Sequence, residues 1–498
     1  MALVLGTWLA ATGDTSCTSM SNTYNAQYSS GIQIGSERQT LQVIPDSGSF
    51  ALVVPSTLCT TSACYSHARY DYMKSGTFNP RDINSAQKTP LAYGQGTVEA
   101  VIAYDDVNVG DMTAKGQVLN LMYDEDIRGF EGSTFDGIMG LGKNSDSQGS
   151  NSDSSDAALL STMKQGAFGV CLGQGDGDNG RLDLAHQKTD LPSMYEIKPS
   201  GTVRGDNSAK LTSVGDYHWG MRLSGMGVRT STGDTFLKGA EGYGCSKAEL
   251  MVGNCKDTDG CDSGDNCAAV IDTGTSLMLL ADENYYTLLN LIETTAPGKL
   301  DALFEDSNCD NAHTLPDVIL TLGEERRTLA ISPSVYMVVM PIGIGTGLRE
   351  WRNTKATNFA NLTAASLRPE DVNMPWPFSD RCVDVFSPMG ARLITQHNGL
   401  MYILGMPMFR QFAVAFDRES KPHTISFSHV EGAHTCATCS GSSQEMIATG
   451  EPTADGSLQP PQIEERRNAT GGVRIDPSKL RYPSPHKFGK KEGGFVHF

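Results

Sequence analysis

Apolar and polar side chains alternate through residues 28–54, YSSGIQIGSERQTLQVIPDSGSFALVV, with Gly and Ser punctuating the run. That is the period of short strands joined by tight turns. A second strand-like region spans Leu91 to Val109 around the turn Tyr93-Gly94-Gln95-Gly96, and a third runs from Thr134 to Leu141. One helix is predicted over 284–296, where Tyr285, Leu288, Leu289 and Ile292 share a face. Residues 143–156, KNSDSQGSNSDSSD, hold no apolar side chain and can bury nothing, so they read as an exposed insertion inside a domain. Composition turns polar between Pro199 and Gly215, and Tyr217-His218-Trp219 then opens a new apolar segment, which places a boundary there. From about residue 440 no apolar period is sustained, the mark of a flexible tail.

The expected organisation is an N-terminal segment over 1–27, a lobe over 28–212, a second lobe over 213–435 and an extension over 436–498. The opening MALVLGTWLAA fits the apolar part of a signal peptide, a strand with Leu3 and Leu5 on its buried face, or a chain trimmed upstream of its true start.

Composition narrows the class. The 498 residues are 39% hydrophobic and only 19% charged, with 53 Gly and 22 Pro, a turn-rich globular profile that excludes disorder as the main state. A net charge of -18 repels phosphate backbones and argues against nucleic-acid binding. The longest apolar stretches fall short of the roughly 20 residues a membrane helix needs, so no transmembrane segment is expected. Twelve cysteines, two of them (Cys59 and Cys64) enclosing a loop of four residues, point to disulfides and an oxidising compartment. The sequons at Asn361 and Asn468 agree with secretory traffic and a glycoprotein.

The strongest chemical signal is a duplicated tetrad, Asp-hydroxyl-Gly-hydroxyl after apolar residues: VIPDSGS at Asp46 and AVIDTGTS at Asp272. One such triplet marks an ordinary turn. Two of them, one per lobe, can bring a pair of carboxylates together, and two like charges so close share a proton. One Asp is then a general base toward water, the other a general acid toward a carbonyl and its leaving amine. The hydroxyls of Ser47, Ser49, Thr273 and Thr275 are expected to orient these carboxylates.

With these tetrads, the Tyr28-to-Asp46 entry segment, Leu52 to Ser56, the Cys59–Cys64 loop, Tyr93-Gly94-Gln95-Gly96, Phe135 to Gly142, Leu315-Pro316-Asp317, Tyr402 to Phe409 and Phe416-Asp417-Arg418, the chain resembles the pepsin-like aspartic endopeptidases over about residues 28–430. The resemblance implies a mainly β, bilobal pepsin-like acid protease fold, two β-barrel-like lobes around a central cleft. It implies Asp46 and Asp272 as catalytic residues. Ile44, Tyr93, Phe135 and Ile138 would line an apolar pocket, while Gly48, Gly94, Gln95, Gly274, Thr275 and Ser276 would contact substrate. It further implies disulfides Cys59–Cys64 and Cys309–Cys382, and one before Asp272 between Cys261 and Cys267 or between Cys255 and either of them. The expected molecule is a monomeric endopeptidase cleaving polypeptides at acidic pH next to apolar residues, with no cofactor and no metal, secreted or in an acidic vacuole- or lysosome-like compartment. The alternative is a silent pepsin-fold binding or inhibitor protein.

Several positions depart from the family. Pro45 precedes the first Asp where a large apolar residue is usual, removing one strand N–H. Ser47 replaces the commoner Thr. Val53 stands where a Trp usually supports the flap tyrosine, so Tyr93 would have to be ordered by substrate or another polar neighbour. The spacing of the tetrads and the Cys309–Cys382 stretch are long, implying insertions near 143–165, 201–212, 230–265 and 341–380, and too few residues precede Tyr28 for the usual basic propeptide. Cys436-Ala437-Thr438-Cys439 reads as structural disulfide partners for Cys17, Cys171 or Cys245 rather than a redox pair. His67, His218 and His313 read as surface or core residues, not ligands.

Overall fold

The computed structural model describes residues 15–94, 96–127, 130–143, 158–175, 178–197, 208–215, 217–237, 267–343, 378–389 and 400–430, with Cys436 and Cys439. The insertion after Lys143, Gln95, both sequons, Cys245, Cys255, Cys261 and the tail beyond residue 440 lie outside them.

The alternating run at 28–54 becomes three strands, Gln27–Ile34, Gln39–Asp46 and Leu52–Pro55. The turn at Tyr93 joins Lys88–Tyr93 to Gly96–Val109 as an antiparallel hairpin. These belong to a thirteen-stranded sheet, and most strands after Thr212 form a second, eight-stranded one. The fold is thus mainly β, as the bilobal pepsin-like architecture requires. The helix forms over Asp282–Thr295, burying Leu288, Leu289 and Ile292.

The two tetrads occupy equivalent places. Gln39–Asp46 runs parallel to Gly137–Gly140, which is antiparallel to Leu52–Pro55. Likewise Ala268–Ile271 runs parallel to Met401–Leu404, which is antiparallel to Met278–Leu280. In each case the chain leaves one strand at the Asp, loops, and resumes on the far side of a third strand threaded between. Leu141 N donates to Asp46 O at 2.7 Å and Met406 N to Thr275 O at 2.8 Å, so each threading segment pins its loop. Pro45 fits because the parallel partner and a bond accepted by its carbonyl, from Thr273 Oγ1 at 2.7 Å, hold the strand without its N–H.

One strand escapes the hydrophobic pattern. Thr15–Thr23, TSCTSMSNT, pairs with Gly180–Ala185 and Gln27–Ile34 although Met20 is its one large apolar side chain. A disulfide from Cys17 to Cys439 and a contact of Thr18 Oγ1 with Ser30 Oγ at 2.9 Å hold it. Cys171, on the strand beyond Gly180–Ala185, bonds Cys436. The CATC cysteines are therefore split between two partners. Cys59–Cys64 and Cys309–Cys382 are bonded, and Cys267 is disulfide-bonded as well.

The late strand Phe412–Asp417, fully buried, inserts between Ala167–Cys171 and Thr424–His429. Its Phe416 stacks on Phe168 at 4.4 Å and meets Trp219 at 5.0 Å, while Trp219 Nε1 donates to Leu141 O at 3.0 Å. This aromatic group anchors the floor beneath the first tetrad.

Candidate active site

Within each tetrad the same two donors fix the carboxylate. Gly48 N donates to Asp46 Oδ1 at 2.8 Å and Ser49 Oγ to Oδ2 at 2.5 Å. Gly274 N donates to Asp272 Oδ1 at 2.8 Å and Thr275 Oγ1 to Oδ2 at 2.6 Å. Ser49 and Thr275 thus each hydrogen-bond the carboxylate of their own tetrad.

Ser47 and Thr273 do not, which corrects the expectation for these two hydroxyls. Their side chains point away from their own Asp and cross to the opposite loop. Ser47 N donates to Thr273 Oγ1 and Thr273 N to Ser47 Oγ, both at 2.9 Å. Ser47 Oγ donates in turn to Ile271 O at 2.9 Å. The chain turns at the two residues after each Asp, which brings the hydroxyl three residues on back to the carboxylate and leaves the hydroxyl of the next residue to cross to the opposite loop. The result is a buried, reciprocal clasp between the loops, complete without the methyl that a Thr at 47 would add.

The clasp sets the carboxylates face to face. An added Cβ on Gly48 would lie 2.7 Å from the Asp272 carboxylate, and one on Gly274 would lie 2.3 Å from Asp46 Oδ1. Each glycine thus makes room for the other loop's carboxylate, a requirement additional to the substrate contact expected of it. Both Asp residues are only 8% exposed. Burial, then the charge of Asp272, holds the Asp46 carboxyl well above the usual carboxylate range.

The residues expected to line an apolar pocket fall around this centre. Tyr93 and Phe135 pack on a cluster of Val53, Ala63, Val98, Ala100, Met122 and Phe130. Ile44 and Ile138 are register partners on the parallel strands beside Asp46. Burial and the Asp46 charge raise the Tyr93 phenol above its ordinary value, keeping it a neutral donor. Val53 is wholly buried in that cluster, so aliphatic packing occupies the place in which an aromatic support was missed. Gly94 is exposed at the hairpin tip. The Ser276 hydroxyl donates to Ala26 O, an engagement not foreseen for a substrate-contacting residue.

His218, read from the sequence as a surface or core residue, places its ring against Phe50, 5.5 Å between centroids, and within the influence of Asp272. His67, by contrast, is a structural residue, stacked on Phe130 at 4.2 Å with Nδ1 3.5 Å from Asp136 Oδ1.

Comparison with known proteins gives the same direction. The model of the eukaryotic aspartyl protease family matches residues 27–190. Pepsin A-5 of Mus musculus is 28% identical over 319 residues, covering 64% of this chain and 70% of the relative. Pepsin A of Gallus gallus is 27% identical over 317 residues, covering 64% and 72%. A probable vacuolar protease A of Trichophyton verrucosum (strain HKI 0517) reaches 40% identity over 121 residues, which are 24% of this chain and 29% of that protein.

Proposed function

Because the chain belongs to the pepsin-like aspartic protease family, we propose that it is an endopeptidase that hydrolyses polypeptides at acidic pH through Asp46 and Asp272. The observation that carries this reading is the reciprocal seating of each carboxylate against the other loop's glycine. Two buried carboxylates so placed titrate as a pair and hold one proton between them over the acid range. The ionised member takes a proton from water, which attacks the peptide carbonyl, and the protonated member donates to the carbonyl oxygen. Collapse of the tetrahedral species returns a proton to the departing amine and restores the pair.

The apolar cluster around Val53, with Tyr93 and Phe135 packed against it, supports a preference for apolar residues beside the scissile bond. A relative named as a probable vacuolar protease and the disulfides support an oxidising, acidic compartment. Intact tetrads favour the enzyme over a silent binding protein of the same fold.

Hydrolysis of an unfolded protein followed from about pH 3 to 8 tests the reading. Activity should be greatest in acid, fall as the pair loses its shared proton, and vanish with a pepstatin-like inhibitor. Asp46→Asn and Asp272→Asn should each lower turnover by at least about 10²-fold with the fold retained. A neutral or alkaline optimum insensitive to the inhibitor sinks the mechanism.

A further inference from the structure

His218 belongs to neither tetrad, yet the main chain moors it to the strand that delivers Asp272. Its own carbonyl accepts from Gly220 N at 2.7 Å, and the carbonyl of the next residue, Trp219, accepts from Ile271 N at 2.9 Å. Both ring nitrogens are buried and lack a hydrogen-bond partner. The Gly48 backbone lies beside the ring without a bond of normal geometry. A neutral imidazole so placed leaves a donor and an acceptor unmet. An imidazolium carries two donors and a charge, and the partner that suits it is an anion.

We infer that His218 is a positioning residue of the dyad: carried just ahead of the strand paired with the one that delivers Asp272, its imidazolium in acid places a positive charge on that side of the pair and biases the shared proton toward Asp46. This assignment rests on the peptidase reading above.

The charges around the ring permit it. Asp272 is the carboxylate whose charge acts on it. The Gly48–Phe50 stretch packed against the ring adds an aromatic face and no charge. On the His218 segment, Lys143 donates to Ser213 Oγ and Gly215 O, and His423 stands edge-on to Trp219 at 5.9 Å. Asp216 lies outside the described residues. Burial lowers the ring's pKa more than Asp272 raises it, so the charge is lost below the ordinary histidine value. The effect therefore falls on the acid limb of the rate profile, where the base carboxylate takes up a proton, and not on the alkaline limb.

The test is kcat/KM against pH for the wild type, His218→Gln and His218→Phe on one fluorogenic peptide. Loss of the cation should move the acid limb upward by about one pH unit, a tenfold loss at the acid end, with the alkaline limb in place. A uniform fall at all pH values, or an unmoved acid limb, overturns the assignment, since a merely structural role scales the whole curve. A second measurement works on folded, inactive protein: histidine ring 15N resonances in Asp46→Asn, with and without Asp272→Asn. Removing the Asp272 charge should lower the His218 pKa by about one unit, and an unchanged value overturns the assignment even if both His218 variants unfold. Absence of peptidase activity at every pH would instead defeat the functional reading, leaving the resonance measurement to decide the coupling.

Discussion

Gly274 faces Asp46 so closely that a single added methyl would lie 2.3 Å from Oδ1. No contact at that distance survives, and the obstacle is a carboxylate already bonded to Gly48 and Ser49. Gly274→Ala must therefore displace the acid it faces. We expect a loss of turnover of about 10²-fold, the usual result of misplacing a reacting group by about 1 Å, with cooperative unfolding retained. Steady-state kinetics beside a thermal melt checks this, and near-normal turnover would show that the seating is not required.

The clasp makes a different prediction, on stability. Ser47→Ala leaves Thr273 N without its acceptor and Ile271 O without its donor, both buried. Each orphaned group costs about 1–3 kcal/mol. Denaturant unfolding should show a loss of about 2–6 kcal/mol for the two groups together, whereas a surface serine would give less than about 0.5 kcal/mol.

A third prediction concerns Val53. Filling the place of the missing aromatic would be expected to steady Tyr93, but Val53 is fully buried among Ala63, Val98, Ala100, Met122 and Phe130. Val53→Trp should overpack this cluster, costing about 1–3 kcal/mol, and disturb Tyr93 rather than support it. An improved KM together with an unchanged melting temperature would contradict this packing argument.

How much of this was legible beforehand follows from how local each feature is. The tetrads carry their chemistry within a few residues, so Asp46, Asp272, Ser49 and Thr275 could be placed from sequence. The clasp could not, because Ser47 and Thr273 meet only after the chain has folded across 226 positions. The same holds for His218, whose significance is its neighbour. Thr15–Thr23 stayed hidden for another reason: its stability comes from pairing on both sides and a disulfide, not from an apolar face.

The fourth prediction is one of pH and stability. Burial pushes Asp384 up to about 7, above its unfolded value near 4. A carboxyl raised on folding favours the native state below its unfolded pKa, and that contribution is lost as pH climbs to the folded one. The melting temperature should decline between about pH 4 and pH 7. Asp384→Asn should remove this group's share of the decline, and an unchanged slope would show that Asp384 does not titrate there.

The bond from Cys171 to Cys436 spans 265 residues, and Phe412–Asp417 fills the place beside Ala167–Cys171 in the sheet. During synthesis at about 5–20 residues per second, the strand ending at Cys171 waits roughly ten to fifty seconds for its neighbour to emerge. Throughout that interval a buried-type edge and an unpaired thiol stand open on the nascent chain. The first half cannot mature ahead of the second, which makes a chaperone and a thiol oxidase natural companions of its biogenesis.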